Sequence, residues 1–303
     1  MNHKLDARNV LLLTLPPLLW GANAVVGRLV APLVPPLTLN LLRWAISLVL
    51  LLPLAAWVFR PSSGLWPRWR RYLLLGLLSV GMYNSLQYLA LQTSTPVNVT
   101  LVGSSMPIFM LAMGALFFGQ PVTRRQLVGA ALAMAGVLLV LAHGDFRRLA
   151  EVRFVPGDLY MLLATAAWAW YSWLLTRVDQ DDPAIRSHWA AFLLAQVAAG
   201  VGWSMLVTAG EGALGSPAPI QWGWPLGAAL AFIVLGPSIL AYRCWGLGVQ
   251  RMGPNMAGIF INLTPLFAAL LSTAFIGEMP HLYHGVAFVL LVGGIVVSSR
   301  RAG

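Results

Sequence analysis

Apolar residues gather along this chain in ten long stretches, separated by short polar or proline-containing segments. They fall at 10–31, 37–59, 72–91, 97–118, 126–142, 159–175, 189–208, 225–247, 256–276 and 282–298. A hydrocarbon core takes about 20 residues of α-helix to cross. The pattern therefore predicts an all-α integral membrane protein with ten transmembrane helices. Most connections are short, as at 32–36, 93–96, 119–125 and 251–255. The longest, at 60–71, 143–158, 180–188 and 210–224, are too small to hold a soluble domain. The 143–158 loop divides five spans from five, giving a first half at 1–142, a central loop, and a second half at 159–303.

The two halves carry the same text. One fixed shift lays Gln92 on Gln250, Pro96 on Pro254, Pro107 on Pro265, Phe109 on Phe267, Phe117 on Phe275 and Gly119 on Gly277. A proline inside a helix removes a hydrogen bond and bends the backbone. Its return at the same depth in both halves indicates duplication, and makes Pro96, Pro107, Pro254 and Pro265 the expected hinge positions. Five is an odd number, so the second half starts on the opposite side of the membrane from the first. Duplicate halves are then inverted five-helix repeats, a recurrent plan of secondary transporters with the substrate held at the repeat interface.

Composition agrees with a bilayer as solvent. Of 303 residues, 59% are hydrophobic and 9% charged, where a soluble domain carries about 25% charged residues. A net charge of +10 would suggest nucleic acid in a soluble protein. Here the arginines gather in loops and read as topology, with lipid and not nucleic acid as the partner. With the N-terminus in the cytoplasm, Lys4, Arg8, Arg60, Arg68, Arg70, Arg71, Arg124, Arg125, Arg177, Arg186, Arg251, Arg300 and Arg301 share its side. Only Arg147, Arg148 and Arg153 lie opposite, in the central loop. The positive-inside rule then places both termini in the cytoplasm. Lys4, Arg8 and the run at 10–20 outline a signal peptide, but the apolar text continues to Val30 and reads as a span. One cysteine, Cys244, excludes an internal disulfide and a cysteine zinc cluster.

No acidic residue falls in the middle of a span, and lysine is absent after Lys4. Ion-driven carriers commonly place a carboxylate there, so coupling through a central acid is not expected. The spans instead hold neutral polar and aromatic side chains. Trp20 and Asn23 share a face with Gly27 in span one. Span three offers Tyr83, Asn84, Gln87 and Tyr88, and span four offers Asn98, Thr100, Ser104 and Ser105 ahead of Pro107. In span six Tyr160, Ala164, Trp168 and Tyr171 recur at helical spacing. Span eight has Ser238 and Tyr242 after Pro237, and span nine has Asn262 beside Thr264-Pro265. Single hydroxyls and amides of this kind usually bond across packed helices. The candidate cavity lining is Trp20, Asn23, Tyr83, Gln87, Ser104, Trp168, Tyr171 and Tyr242. Aromatic walls with a few amides suit an amphipathic zwitterion or an aromatic cation. Arg28 and Arg243 lie near span ends and read as snorkelling. Arg43 lies deeper, and a structural role is preferred over contact with a substrate carboxylate. Glu278, His281 and His284 read as a capped loop across Met279-Pro280, not as a metal site. The small residues Gly129, Ala133 and Gly136, with Gly285, Gly293 and Gly294, read as close helix packing.

These features resemble the drug/metabolite transporter superfamily, in its ten-span EamA-type branch. The resemblance rests on Leu-Leu-Trp20-Gly21-Ala-Asn23, Leu-Arg43-Trp, Tyr88-Leu-Ala-Leu, Met106-Pro107 and Phe-Gly119-Gln120 in the first half. In the second half it rests on Ala-Ala167-Trp168 with Tyr171, Thr264-Pro265 and Gly277-Glu278. It covers nearly the whole chain, and within the branch it is similar to amino-acid exporters of bacterial inner membranes, including those for aromatic amino acids. That resemblance implies an inverted five-plus-five fold, a central cavity lined by both halves, and efflux of small amphipathic metabolites by alternating access, with no cofactor. A monomer or weak homodimer is expected. The short four-span multidrug relatives depend on a membrane glutamate near the N-terminus, which this chain lacks. Two other readings stand beside this one: a carrier for aromatic cations, and, from another class, a membrane-embedded enzyme. The enzyme would have to draw on His188, Glu278, His281 and His284, which form no recognisable triad.

Overall fold

The structure, a computed structural model, describes residues 6–94, 96–151, 153–214, 219–276 and 281–299. The predicted motif residues Gly277 and Glu278 lie outside them. Among the described residues, nine helical stretches are long and apolar enough to cross a membrane. They are α1 (Ala7–Val30), α2 (Pro36–Phe59), α3 (Trp69–Leu91), α4 (Asn98–Phe117), α5 (Arg124–Leu141), α7 (Trp189–Gly210), α8 (Trp224–Met252), α9 (Pro254–Ser272) and α10 (Leu282–Ser299). Between α5 and α7 runs α6 (Pro156–Leu174), less apolar and largely buried by its neighbours. Its surroundings are protein, so its text carries Thr165, Ser172 and three tryptophans where a lipid-facing helix carries leucine.

Local chemistry sets the helix ends. Asp6 caps α1 by accepting from the Asn9 amide at 2.8 Å. Thr123 and Gln126 form a reciprocal capping box on α5, at 3.2 and 3.0 Å. Asp158, in the first turn of α6, accepts from the Val155 amide at 2.9 Å and from Asn98 Nδ2 at 3.1 Å, and bonds the Ser94 hydroxyl. Pro96 and Pro254 each occupy the opening position of a helix. Proline fits there because the first amides of a helix lack intrahelical partners anyway, so neither bends a helix from within.

The interior defects come in matching pairs. Helix α4 is interrupted at Ser104-Ser105, just before Pro107, and α9 at Asn262, just before Pro265. Helices α3 and α8 each contain a π-helical segment, at Leu77–Tyr83 and Val234–Leu240. In α8 the cause is visible: Pro237 has no N–H to give to the Ile233 carbonyl. The Ser238 hydroxyl takes that carbonyl instead, at 2.9 Å.

The helices pack as two interleaved lobes. One joins α1 and α2 to α8 and α9; the other joins α3 and α4 to α6 and α7. The lobes meet where α2 crosses α7 and where α4 crosses α9, and α5 packs against α10 at one side. That last contact brings two backbones close together. A Cβ on Gly129 would fall 2.6 Å from the Gly294 carbonyl, and one on Gly294 would meet the Gly129 carbonyl at the same distance. Gly285 and Gly293, predicted to join this track, face open space.

The apolar core forks. A single large cluster runs through both lobes, from Leu13, Trp44 and Trp245 to Leu75, Met110, Trp168 and Leu174. Nearer the chain-reversing loops at Ala31 and Ser94 it gives way to two separate clusters. Val30, Val34, Leu39, Leu226 and Ile233 pack α1, α2 and α8 together. Ala90, Val99, Met161 and Ala164 pack α3, α4 and α6. Each of these smaller cores belongs to one lobe.

On the arginine-rich face the second lobe is pinned by ions. Asp181, fully buried, accepts from Arg71 Nε at 3.0 Å and from Arg186 Nη1 at 2.9 Å. The same guanidiniums bond the carbonyls of Leu174 and Leu175, at 2.6 and 2.9 Å. Burial pushes the Arg186 pKa down, and the Asp181 charge beside it opposes that shift.

Candidate substrate site

An aromatic cluster lies where the core forks. Trp168, on α6, is at its centre. Its ring centroid is 5.3 Å from Trp20 on α1, 4.9 Å from Tyr83 on α3, 5.2 Å from Tyr171, 5.4 Å from Tyr242 on α8 and 5.7 Å from Trp245. Most contacts are edge-on or tilted, the geometry in which one ring's positive rim meets another's negative face. Trp168, Tyr171 and Tyr242 are buried, while Trp20 and Tyr83 keep partial exposure. Tyr83 packs against both the main core and the α3–α4–α6 cluster, so it stands at the fork itself.

The π segments supply the polar part. Pro237's carbonyl accepts from Trp20 Nε1 at 3.1 Å. Ser79's carbonyl accepts from the Tyr242 hydroxyl at 3.2 Å and from Asn84 Nδ2 at 3.1 Å. Asn84 Nδ2 also reaches the Tyr242 oxygen at 3.3 Å. Trp245 Nε1 donates to Ser172 at 3.1 Å. Trp168 Nε1 and the Thr264 hydroxyl are buried with no protein partner. Leaving such a group unmade costs about 1–3 kcal/mol, so a ligand or water that accepts there is favoured.

Most residues singled out from the sequence converge, and some do not. Trp20, Tyr83, Trp168, Tyr171 and Tyr242 form the cluster. Asn23 and Gln87, half-buried, lie one turn beyond Trp20 and Tyr83 toward the separate lobe cores. Ser104 is turned onto its own helix, its hydroxyl donating to the Leu101 carbonyl at 2.6 Å, and its carbonyl accepts from Asn262 at 3.2 Å. It therefore contributes a helix break. Tyr160, predicted on the Trp168 face, is exposed. Trp44, Trp245 and Ser79 were not anticipated as part of the cluster. A sequence signal for the polar contacts does exist. Asn84 and Tyr242 are 158 positions apart, as are Ser104 and Asn262, and that is the shift that lays Gln92 on Gln250. Each pair joins a position to its own counterpart in the other half.

Of the two outlying arginines, Arg28 is exposed and Arg243 lies over the Trp189 ring at 4.5 Å. No group of three potential metal ligands exists among the described residues, and His284 Nδ1 accepts from the His281 amide at 3.1 Å.

A bundle of apolar helices with broken, mirrored interiors around an aromatic centre defines a multi-pass membrane transporter. The chain belongs to the EamA-like transporter family, which matches it twice, over residues 7–142 and 155–300. Its compartment is the bacterial inner membrane. It is 25% identical over 228 residues to an uncharacterized transporter, YyaM, of Bacillus subtilis, covering 75% of this chain and 72% of that one. It is also 25% identical to the aromatic amino acid exporter YddG of Ancylobacter novellus, over 78% of this chain and 77% of the relative. A probable amino-acid metabolite efflux pump of Salmonella typhimurium is 26% identical over 92% of this chain and 90% of its own. A solved crystal structure shares the fold with a TM-score of 0.73, at 21% identity and 96% coverage of both chains.

Proposed function

We propose that this protein exports amino acids, aromatic ones included, and related small amphipathic metabolites by alternating access. The observation that carries the reading is the aromatic cluster at the fork of the core. Beyond Tyr83 and Trp20 each lobe has its own apolar core. The lobes stay joined there at the α2–α7 crossing, where Thr208 donates to the Leu37 carbonyl at 3.4 Å, so the half of the bundle facing away from the arginine-rich loops can part on the side away from that crossing. On the other side of the cluster one continuous core joins the lobes. The arginine-rich face is cytoplasmic by the positive-inside rule, α6 is the tenth span, and both termini are cytoplasmic. The state is then closed to the cytoplasm and parted toward the outside. The two inverted halves exchange roles to give the other state. Trp20, Asn23, Tyr83, Gln87, Trp168, Tyr171 and Tyr242 line the path, and the breaks before Pro107 and Pro265 absorb the bending. The carrier acts as a monomer or weak homodimer.

Counterflow in proteoliposomes tests this. Vesicles preloaded with an unlabelled amino acid should take up the labelled one faster than empty vesicles, without an imposed ion gradient, and aromatic amino acids should rank first. A response only to a methylated aromatic cation would replace amino acids by drug-like cations as the substrate class. No stimulation by any of these, in folded protein, would overturn the proposal.

A further inference from the structure

Arg43 of α2 lies inside the membrane-spanning bundle and is 2% exposed. Its Nε donates to the Ser238 hydroxyl oxygen at 3.0 Å, and its guanidinium carbon sits 4.9 Å from the Trp44 ring centroid. Ser238 spends its own proton on the Ile233 carbonyl, so its lone pair is turned to Nε. The ion pairs among the described residues all belong to Arg68, Arg71 and Arg186, on the arginine-rich face. Arg43 has no carboxylate, and no described residue accepts a hydrogen bond from Nη1 or Nη2.

A guanidinium stays charged in any protein environment. Largely withdrawn from water without a counter-charge, it is costly, and the little exposure the residue keeps includes the terminal nitrogens. The chain spends this cost beside the candidate site: Trp44, which backs the guanidinium, is 4.9 Å from Tyr242, and Tyr242 is 5.4 Å from Trp168. Fixing Nε on Ser238 leaves the two terminal nitrogens as a parallel pair of donors. That edge matches the two oxygens of a carboxylate end-on.

We propose that Arg43 recognises the carboxylate of the transported substrate through Nη1 and Nη2, with the substrate's apolar part on the Trp20–Tyr83–Trp168–Tyr242 cluster. This deepens the proposed function and rests on it. The π segment of α8 is part of the device. Pro237 frees the Ile233 carbonyl, that carbonyl orients Ser238, and Ser238 orients the guanidinium. A substrate with a cationic head and no carboxylate meets a like charge instead, which disfavours aromatic cations.

The test compares tryptophan, tryptophanamide and tryptamine as competitors of labelled tryptophan counterflow in wild-type protein, then measures tryptophan transport in Arg43→Gln and Arg43→Lys. Wild-type protein should be inhibited by tryptophan well before the amide or the amine. Arg43→Gln should raise the KM for tryptophan about tenfold or more, as for loss of a bidentate charge-assisted pair, and Arg43→Lys should recover part of it. Equal inhibition by all three compounds in wild-type protein would overturn the proposal without any variant. An unchanged KM in folded Arg43→Gln would also overturn it. Absence of amino-acid counterflow in wild-type protein is the separate failure of the proposed function.

Discussion

Tyr83 and Tyr242 look alike in sequence and do different work. The Tyr83 hydroxyl makes no hydrogen bond among the described residues, and the side chain keeps partial exposure at the fork, so it offers its ring to a ligand. Tyr83→Ala should cost only about 1 kcal/mol of stability while lowering counterflow about tenfold, measured on protein of unchanged monodispersity. Tyr242 is fully engaged: its hydroxyl joins Ser79 and Asn84 across the lobes. Tyr242→Phe keeps the ring and strands Asn84 Nδ2 on a single acceptor. It should lower the melting temperature in detergent by more than Tyr83→Ala does. Equal melting shifts would mean that the cross-lobe bond contributes little. Trp168→Ala would confound the two effects, since a buried tryptophan lost to alanine costs about 3–5 kcal/mol. Trp168→Phe is the cleaner probe, removing the unpartnered Nε1 with less cavity, and a loss of transport at normal stability would assign that N–H to the ligand.

Helix existence and order were legible because hydropathy reports what surrounds a whole segment. The helix interiors were not. Leu77–Tyr83 reads as ordinary apolar helix, because no proline marks it, and at Val234–Leu240 Pro237 announces a lost hydrogen bond without saying that the backbone answers with a π segment. The same limit explains the glycines. Gly293 and Gly294 are adjacent, yet only Gly294 meets α5, and periodicity cannot set a helix's rotation to that accuracy. Gly294→Leu should therefore disrupt the α5–α10 contact and lower thermal stability by several degrees, whereas Gly293→Leu should be tolerated; a shared phenotype would refute the assigned rotation. Trp44 and Trp245 escaped for another reason: a tryptophan in a span ordinarily reads as interface belt or packing. The Asp181 cluster joins Arg71 to a loop 110 residues further on, which no local pattern reveals. Asp181→Asn leaves Arg71 and Arg186 without their shared charge and should cost about 3–5 kcal/mol, seen as a large drop in melting temperature.

For the whole molecule, the forked core makes a prediction about access. Gly27, on α1 beyond Trp20, has nothing within reach of an added Cβ. Ser172, on α6 in the continuous core, is fully buried. In a Cys244→Ala background, cysteine at 27 should react with a membrane-impermeant thiol reagent applied from outside, and cysteine at 172 should be protected until the carrier turns over with substrate. Reaction of both from outside at equal rates would refute a bundle closed on its arginine-rich side.

The paired offsets carry one more consequence. A position that touches its own counterpart sits where the two halves map onto each other, so in the proposed exchange of the halves its contact is carried into itself. Asn84 with Tyr242, and Ser104 with Asn262, can act as a fulcrum that persists while the contacts around them are remade. Had the halves been separate identical chains, the same residue would have faced itself at each of these places, amide against amide or phenol against phenol. Joining both copies in one gene let the two members of a pair differ, as Asn84 differs from Tyr242 and Ser104 from Asn262. The amide–phenol pair is thus a record of divergence after fusion: two positions that began as copies now hold unlike side chains across one contact.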